Sequence, residues 1–166
     1  MIATQQSIVI GLGEFAVTSD ISTLLVCVGL GSCIALCVYD PIARVGGLAH
    51  MVLPSRRPGD ETSQPTKFVD SGTALLLQRT IKAGAMRSRL VAKIVGGARM
   101  LTIPGAQYHL LDIGQRNIDE MRATLTRERL RLAGTELGGT SGRSVQFSVE
   151  TGLVTVKVAG GQVTQL

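Results

Sequence analysis

A chain of 166 residues with 45% apolar residues and 20 glycines is long enough to bury a core and too apolar to be disordered. The net charge of +5 invites a nucleic-acid reading, but aromatic residues make up only 3% and Trp is absent, so no base-stacking platform exists. No apolar run approaches bilayer length, and the opening MIATQQSIVIGLGEF lacks the basic region and clean apolar core of a secretory signal; the expectation is a cytoplasmic protein that is not membrane-inserted.

The first half reads as short strands punctuated by Gly and Pro: Ser7–Ile10, Glu14–Val17, Thr23–Val28, Cys33–Tyr39 and Gly46–Leu53. The stretch 54–66, PSRRPGDETSQPT, is polar, rich in breakers and expected to be mobile. A helix follows over about 67–83, with Phe68, Leu75, Leu76 and Ile81 available for burial and Gly84 beyond its end. Leu90–Val95 reads as a buried strand closed by Gly96-Gly97. In GQRNIDEMRATLTRERLRLAG, Asn117 reads as an N-cap with Glu120 at N3, Ile118, Met121 and Leu125 as the apolar stripe, and Gly134 as the stop. That places Arg122, Arg127, Arg129 and Arg131 along one solvated helix. ELGGTSGR is a tight glycine loop, and Val145–Glu150 and Leu153–Val158 form a terminal hairpin about Thr151-Gly152. The order gives an α+β domain over 1–166, with helices on one face of mainly antiparallel sheet.

Three cysteines, Cys27, Cys33 and Cys37, fall within strand-like sequence, an odd count that argues for a reducing compartment rather than a disulfide framework. Their Cys-x5-Cys-x3-Cys spacing matches no common zinc knuckle, and neither His50 nor His109 completes one, so no metal is expected. GLGEF at Gly11 lacks the third glycine and the Lys-Ser/Thr ending of a phosphate loop. His109, in PGAQYHLLD, reads as a loop or strand-edge histidine.

Cys33 follows the bend-prone run Gly29-Leu30-Gly31-Ser32, and His50 lies on the next strand in GGLAHMVLP. If Asp40-Pro41-Ile42-Ala43 is a symmetric turn, Cys33 and His50 face each other directly, with Cβ atoms roughly 5 Å apart. A one-residue slip would send them to opposite faces. In that geometry the imidazole would hold the thiol as thiolate, and amides near Gly31 and Ser32 could meet a developing oxyanion. Two readings stand: a nucleophilic Cys–His dyad, or a small buried side chain beside glycines that only mark a bulge.

The segments GLGSCIALCVYDP and GGLAHMVLP, followed in order by VDSGTALLLQ, AKIVGGARM, IGQRN, GGTSGR and TGLVTVKV, resemble the CheD family of chemoreceptor glutamine deamidases over nearly the whole chain. The resemblance implies a three-layer α/β/β sandwich with two main helices, related to toxin-type cysteine deamidases. It implies conversion of particular glutamines on methyl-accepting chemoreceptors to glutamate with release of ammonia, without metal or organic cofactor. It also implies Cys33 as nucleophile, His50 as general base, and a CheC-type phosphatase as a partner. The family's third catalytic position, usually threonine six residues before the cysteine, is Cys27 here. A thiol is a weaker hydrogen-bond partner than a hydroxyl, so a main-chain carbonyl is the other candidate to orient His50. The rivals are a non-catalytic or weakly catalytic binding module and a cysteine peptidase.

Overall fold

The structure, a computed structural model, describes residues 5–101 and 112–166. Two five-stranded sheets face each other. One contains β1 (Gln6–Val9), β3 (Thr23–Leu30), β8 (Arg143–Ser148), β9 (Val154–Val158) and β10 (Val163–Gln165), in the order β1-β3-β8-β9-β10. The other contains β2 (Phe15–Thr18), β5 (Val45–Met51), β4 (Ile34–Asp40), β6 (Val91–Gly96) and β7 (Arg131–Leu137), in the order β2-β5-β4-β6-β7. Among the described strands, β1–β3 and β6–β7 pair in parallel and the other neighbouring pairs are antiparallel. Two helices, α1 (Val69–Lys82) and α2 (Ile113–Arg127), cover the outer face of the second sheet.

Strand β4 shows why the layers form. All seven of its residues are buried, so it reads as a continuous apolar run rather than an alternation. Side chains still alternate: Ile34, Leu36 and Val38 pack with Leu76 and Leu77 of α1 and Ile118, Met121 and Leu125 of α2. Ala35, Cys37 and Tyr39 face the other way, into a second core with Cys27, Leu25, Val145, Phe147 and Val156 of the first sheet. The three-layer α/β/β arrangement expected from the sequence is the one observed. Truncating a side chain such as Leu36 between the layers costs about 2–5 kcal/mol.

Three local expectations fail, each for a physical reason. Asn117 does not cap α2; Asp112 does, its carboxylate accepting from the Gln115 N–H, so the helix begins five residues earlier and Asn117 lies inside it. The helix also stops at Arg127, well before Gly134. Arg129 takes φ 51°, its N–H bonds the Thr126 carbonyl, and the Leu130 N–H bonds the Leu125 carbonyl. This is a Schellman C-cap with arginine at the position where glycine is usual, so it carries no glycine signal. Arg131 therefore lies on β7, beyond the helix that carries Arg122 and Arg127. Finally, Ile81 is 37% exposed, while Leu76, Leu77 and Thr80 form the buried stripe of α1.

Segment 54–66 carries its own hydrogen bonds. The Arg57 N–H donates to Asp60, Arg56 to the Ser63 carbonyl, and the Thr66 hydroxyl to the Gly13 carbonyl. Among the described residues no helix is long and apolar enough to cross a membrane.

Candidate active site

The β4–β5 hairpin sets the relation between Cys33 and His50, and its register differs from the expected one. Asp40 pairs with Val45, leaving a four-residue loop, and His50 pairs with Ala35. The extra length comes from Asp40 itself. Its Oδ1 accepts from the N–H groups of Ile42 (2.9 Å) and Ala43 (3.0 Å), an Asx-type turn, and Arg44 closes the loop at φ 50°. The shift is two residues, a whole side-chain period, so Cys33 and His50 keep the same face but become diagonal rather than direct neighbours. Diagonal neighbours stand about 7–8 Å apart, within reach of longer side chains.

His50 sits between the sheets at 2% exposure. Its Nδ1 lies 3.2 Å from the Sγ of Cys27, which β3 contributes from the opposite sheet. Its Nε2 has no hydrogen-bond partner among the described residues. Backbone bonds hold the residue from the side of β2: His50 N–H to the Glu14 carbonyl, 3.0 Å, and Gly13 N–H to the His50 carbonyl, 2.8 Å. Of the three thiols, Cys33 is the most accessible, at 8% exposure against 0% for Cys27 and 2% for Cys37.

Burial governs the protonation states. It pushes the Cys33 thiol up, its own backbone N–H offsetting part of the effect. It pushes Cys27 up to about 12, with the neighbouring Cys33 adding to the shift. It pushes His50 down, opposed by the Ile10 carbonyl and the Glu14 carboxylate. Both directions favour neutral thiol beside neutral imidazole. These directions run against the thiolate–imidazolium pair expected from the sequence.

The loop before Cys33 is built by close backbone approach. Gly29, at φ 70°, lies where the β3–β8 register shifts between Cys27 and Leu30, so it marks a bulge. Beyond it, the Gly31 carbonyl accepts from Ala98 N–H (2.9 Å), the Ser32 carbonyl from Asn117 Nδ2 (2.8 Å) and the Cys33 carbonyl from Gly97 N–H (2.8 Å). The segment 96–98 is itself pressed between this loop and α2. A Cβ on Gly96 would stand 2.2 Å from the Cys33 carbonyl oxygen, and one on Gly114 would stand 2.5 Å from the Ala98 oxygen.

The sequence reading named Cys33, His50, Cys27, Gly31 and Ser32 as candidates, set Asn117 aside as a helix cap and missed the Gly96-Gly97 contact. The signal for Asn117 was its place on the apolar face of α2, one turn before Met121 and beside Ile118. His109 lies outside the described residues. A cavity of about 460 Å³ opens between the edge strands β1 and β2, but neither Cys33 nor His50 lines it.

Two sheets enclosing a thiol–imidazole cluster, with helices on one outer face, define an α/β/β domain of the buried cysteine–histidine type. Residues 52–158 match the family model described as CheD chemotactic sensory transduction. The chain belongs to the CheD family. That match begins two residues past His50, whereas two relatives align over 91% and 92% of this chain. A probable chemoreceptor glutamine deamidase CheD of Symbiobacterium thermophilum is 45% identical over 152 residues, 91% of this chain and 92% of that one. The chemoreceptor glutamine deamidase CheD of Thermotoga maritima is 39% identical over 153 residues, 92% of each chain. Among solved structures, the hypothetical protein YfiH of Bacillus licheniformis aligns with a TM-score of 0.46 and 13% identity, over 74% of this chain and 49% of that one.

Proposed function

We propose that the protein is a hydrolase that converts specific glutamine side chains of methyl-accepting chemoreceptors to glutamate, with Cys33 as nucleophile and His50 as general base. Support comes from the relatives' names and from one arrangement: a His50 Nε2 without a hydrogen-bond partner among the described residues, on the same sheet face as the most accessible thiol.

In this reading the Cys33 proton passes to His50 Nε2 as sulfur attacks the glutamine Cδ, and the carbonyl electrons move onto oxygen. The N–H groups of Ser32 and Cys33 receive that oxyanion. Collapse breaks the C–N bond, and His50 returns its proton to the departing ammonia. Water then attacks the thioester, giving one proton to His50; the carboxylic acid leaves as sulfur regains that proton from His50, and the acid then ionises to solvent. Each turnover adds one negative charge to the receptor. Cytoplasmic placement and association with a CheC-type phosphatase belong to the same proposal.

The test is ammonia release, with the matching mass gain, from a receptor fragment. Wild type is expected to show both and Cys33→Ala neither. Undiminished release by Cys33→Ala would overturn the assignment, and shortened fragments would indicate a peptidase.

A further inference from the structure

Of the three donors that hold the carbonyls of Gly31, Ser32 and Cys33, two are backbone amides and one is a side chain, that of Asn117. It is fully buried in α2, and its Nδ2 also donates to the Val52 carbonyl at 3.0 Å, two residues past His50. Both partners are carbonyls, which only accept, so the amide nitrogen must face them. Its Oδ1 has no partner among the described residues. One NH2 group thus ties the approach to Cys33 to the strand end carrying His50.

The consequence lies in the peptide plane. In a trans peptide, C=O and N–H point in opposite directions, and no cis bond occurs among the described residues. Holding the Ser32 carbonyl toward α2 therefore turns the Cys33 N–H to the opposite side of the loop. We propose that Asn117 is a positioning residue which fixes the Ser32–Cys33 peptide, so that the Cys33 N–H meets the oxygen that becomes charged when Cys33 is acylated. The inference rests on Cys33 being the nucleophile. It assigns to Asn117 no contact with substrate.

Two reagents separate this role from simple structural support. p-Nitrophenyl acetate acylates a thiol through a tetrahedral oxyanion: sulfur bonds the acetyl carbon, and p-nitrophenolate leaves. Iodoacetamide alkylates the same thiol by displacement of iodide, with no oxyanion. In Asn117→Leu, acylation of Cys33 is expected to slow by about tenfold or more, while alkylation stays within about threefold. Parallel loss of both rates, or loss of neither, would overturn the proposal. Asn117→Asp provides the second arm, needed if the leucine variant does not fold. Its protonated acid recovers one donor, so the acylation-to-alkylation ratio should rise as pH falls, and a flat ratio would also overturn the role. Neither reagent needs a receptor. Failure on receptor fragments would therefore strike the substrate reading, and failure of the split would strike Asn117.

Discussion

Cys27 and His50 meet across the two sheets, Sγ to Nδ1 at 3.2 Å, with the thiol held protonated by burial. A neutral imidazole carries one proton. If Cys27 donates S–H to Nδ1, that proton sits on Nε2, which then cannot receive the proton of Cys33. Only when Nδ1–H donates to sulfur is Nε2 a base, and sulfur is a weak acceptor. A threonine hydroxyl accepts better. Cys27→Thr is therefore expected to raise kcat for ammonia release by about threefold to tenfold, and Cys27→Ala to lower it. Steady-state assays on a receptor fragment check this, and equal rates in all three proteins would remove Cys27 from the orientation of His50.

Labelling should follow the protonation states. Because burial raises the Cys33 thiol and lowers His50, the free enzyme holds little thiolate near neutral pH. Iodoacetamide labelling of Cys33 is expected to keep climbing through pH 8.5, the ordinary thiol range, rather than level off below pH 7. Cys33 should be modified before Cys27 and Cys37, which are less accessible. A plateau in the acidic range, followed by peptide mapping to Cys33, would establish a preformed ion pair instead.

Stability should peak between two limbs. His50 is lowered on folding, so the unfolded chain binds its proton first; stability is full above about pH 6.5 and declines as pH falls below it. Cys27 is raised to about 12, so the unfolded chain loses its proton first; stability is full below about pH 8.5 and declines as pH rises toward the folded value. Urea midpoints measured across pH are expected to show a shallower acid limb in His50→Gln and a shallower alkaline limb in Cys27→Thr. Unchanged slopes would mean that neither group is perturbed by folding.

How much of this was readable from the chain depended on whether the signal was local. Hydrophobic pattern and turn residues located most strands, and the face shared by Cys33 and His50 survived because the register error was a whole period. What failed was set by groups with no sequence marker: an Asx turn that lengthened the β4–β5 loop, and arginines at positive φ in Arg44 and Arg129, where glycine is the usual sign. β10 is only three residues long and escaped notice. Asn117 looked like a cap because asparagine is a good one. Its real partners, Ser32 and Val52, lie 85 and 65 residues away and meet it only in the folded chain.

The glycines of the site divide into those that turn the chain and those that admit a neighbour, and substitution should tell them apart. Gly29 has φ 70° with nothing among the described residues within 4 Å of an added Cβ, so Gly29→Ala is expected to cost the left-handed conformation, about 1–2 kcal/mol. Gly96 has φ 118°, and its Cβ would meet the Cys33 carbonyl oxygen at 2.2 Å. That oxygen is backbone, pinned by the Gly97 N–H, and cannot move without shifting Cys33. Gly96→Ala is therefore expected to be destabilised by more than about 3 kcal/mol and, where still folded, to lose acylation of Cys33. Chemical denaturation gives the first quantity and p-nitrophenolate release the second. Equal cost for both alanines would show that the approach of Gly96 to Cys33 is not as close as the structure has it.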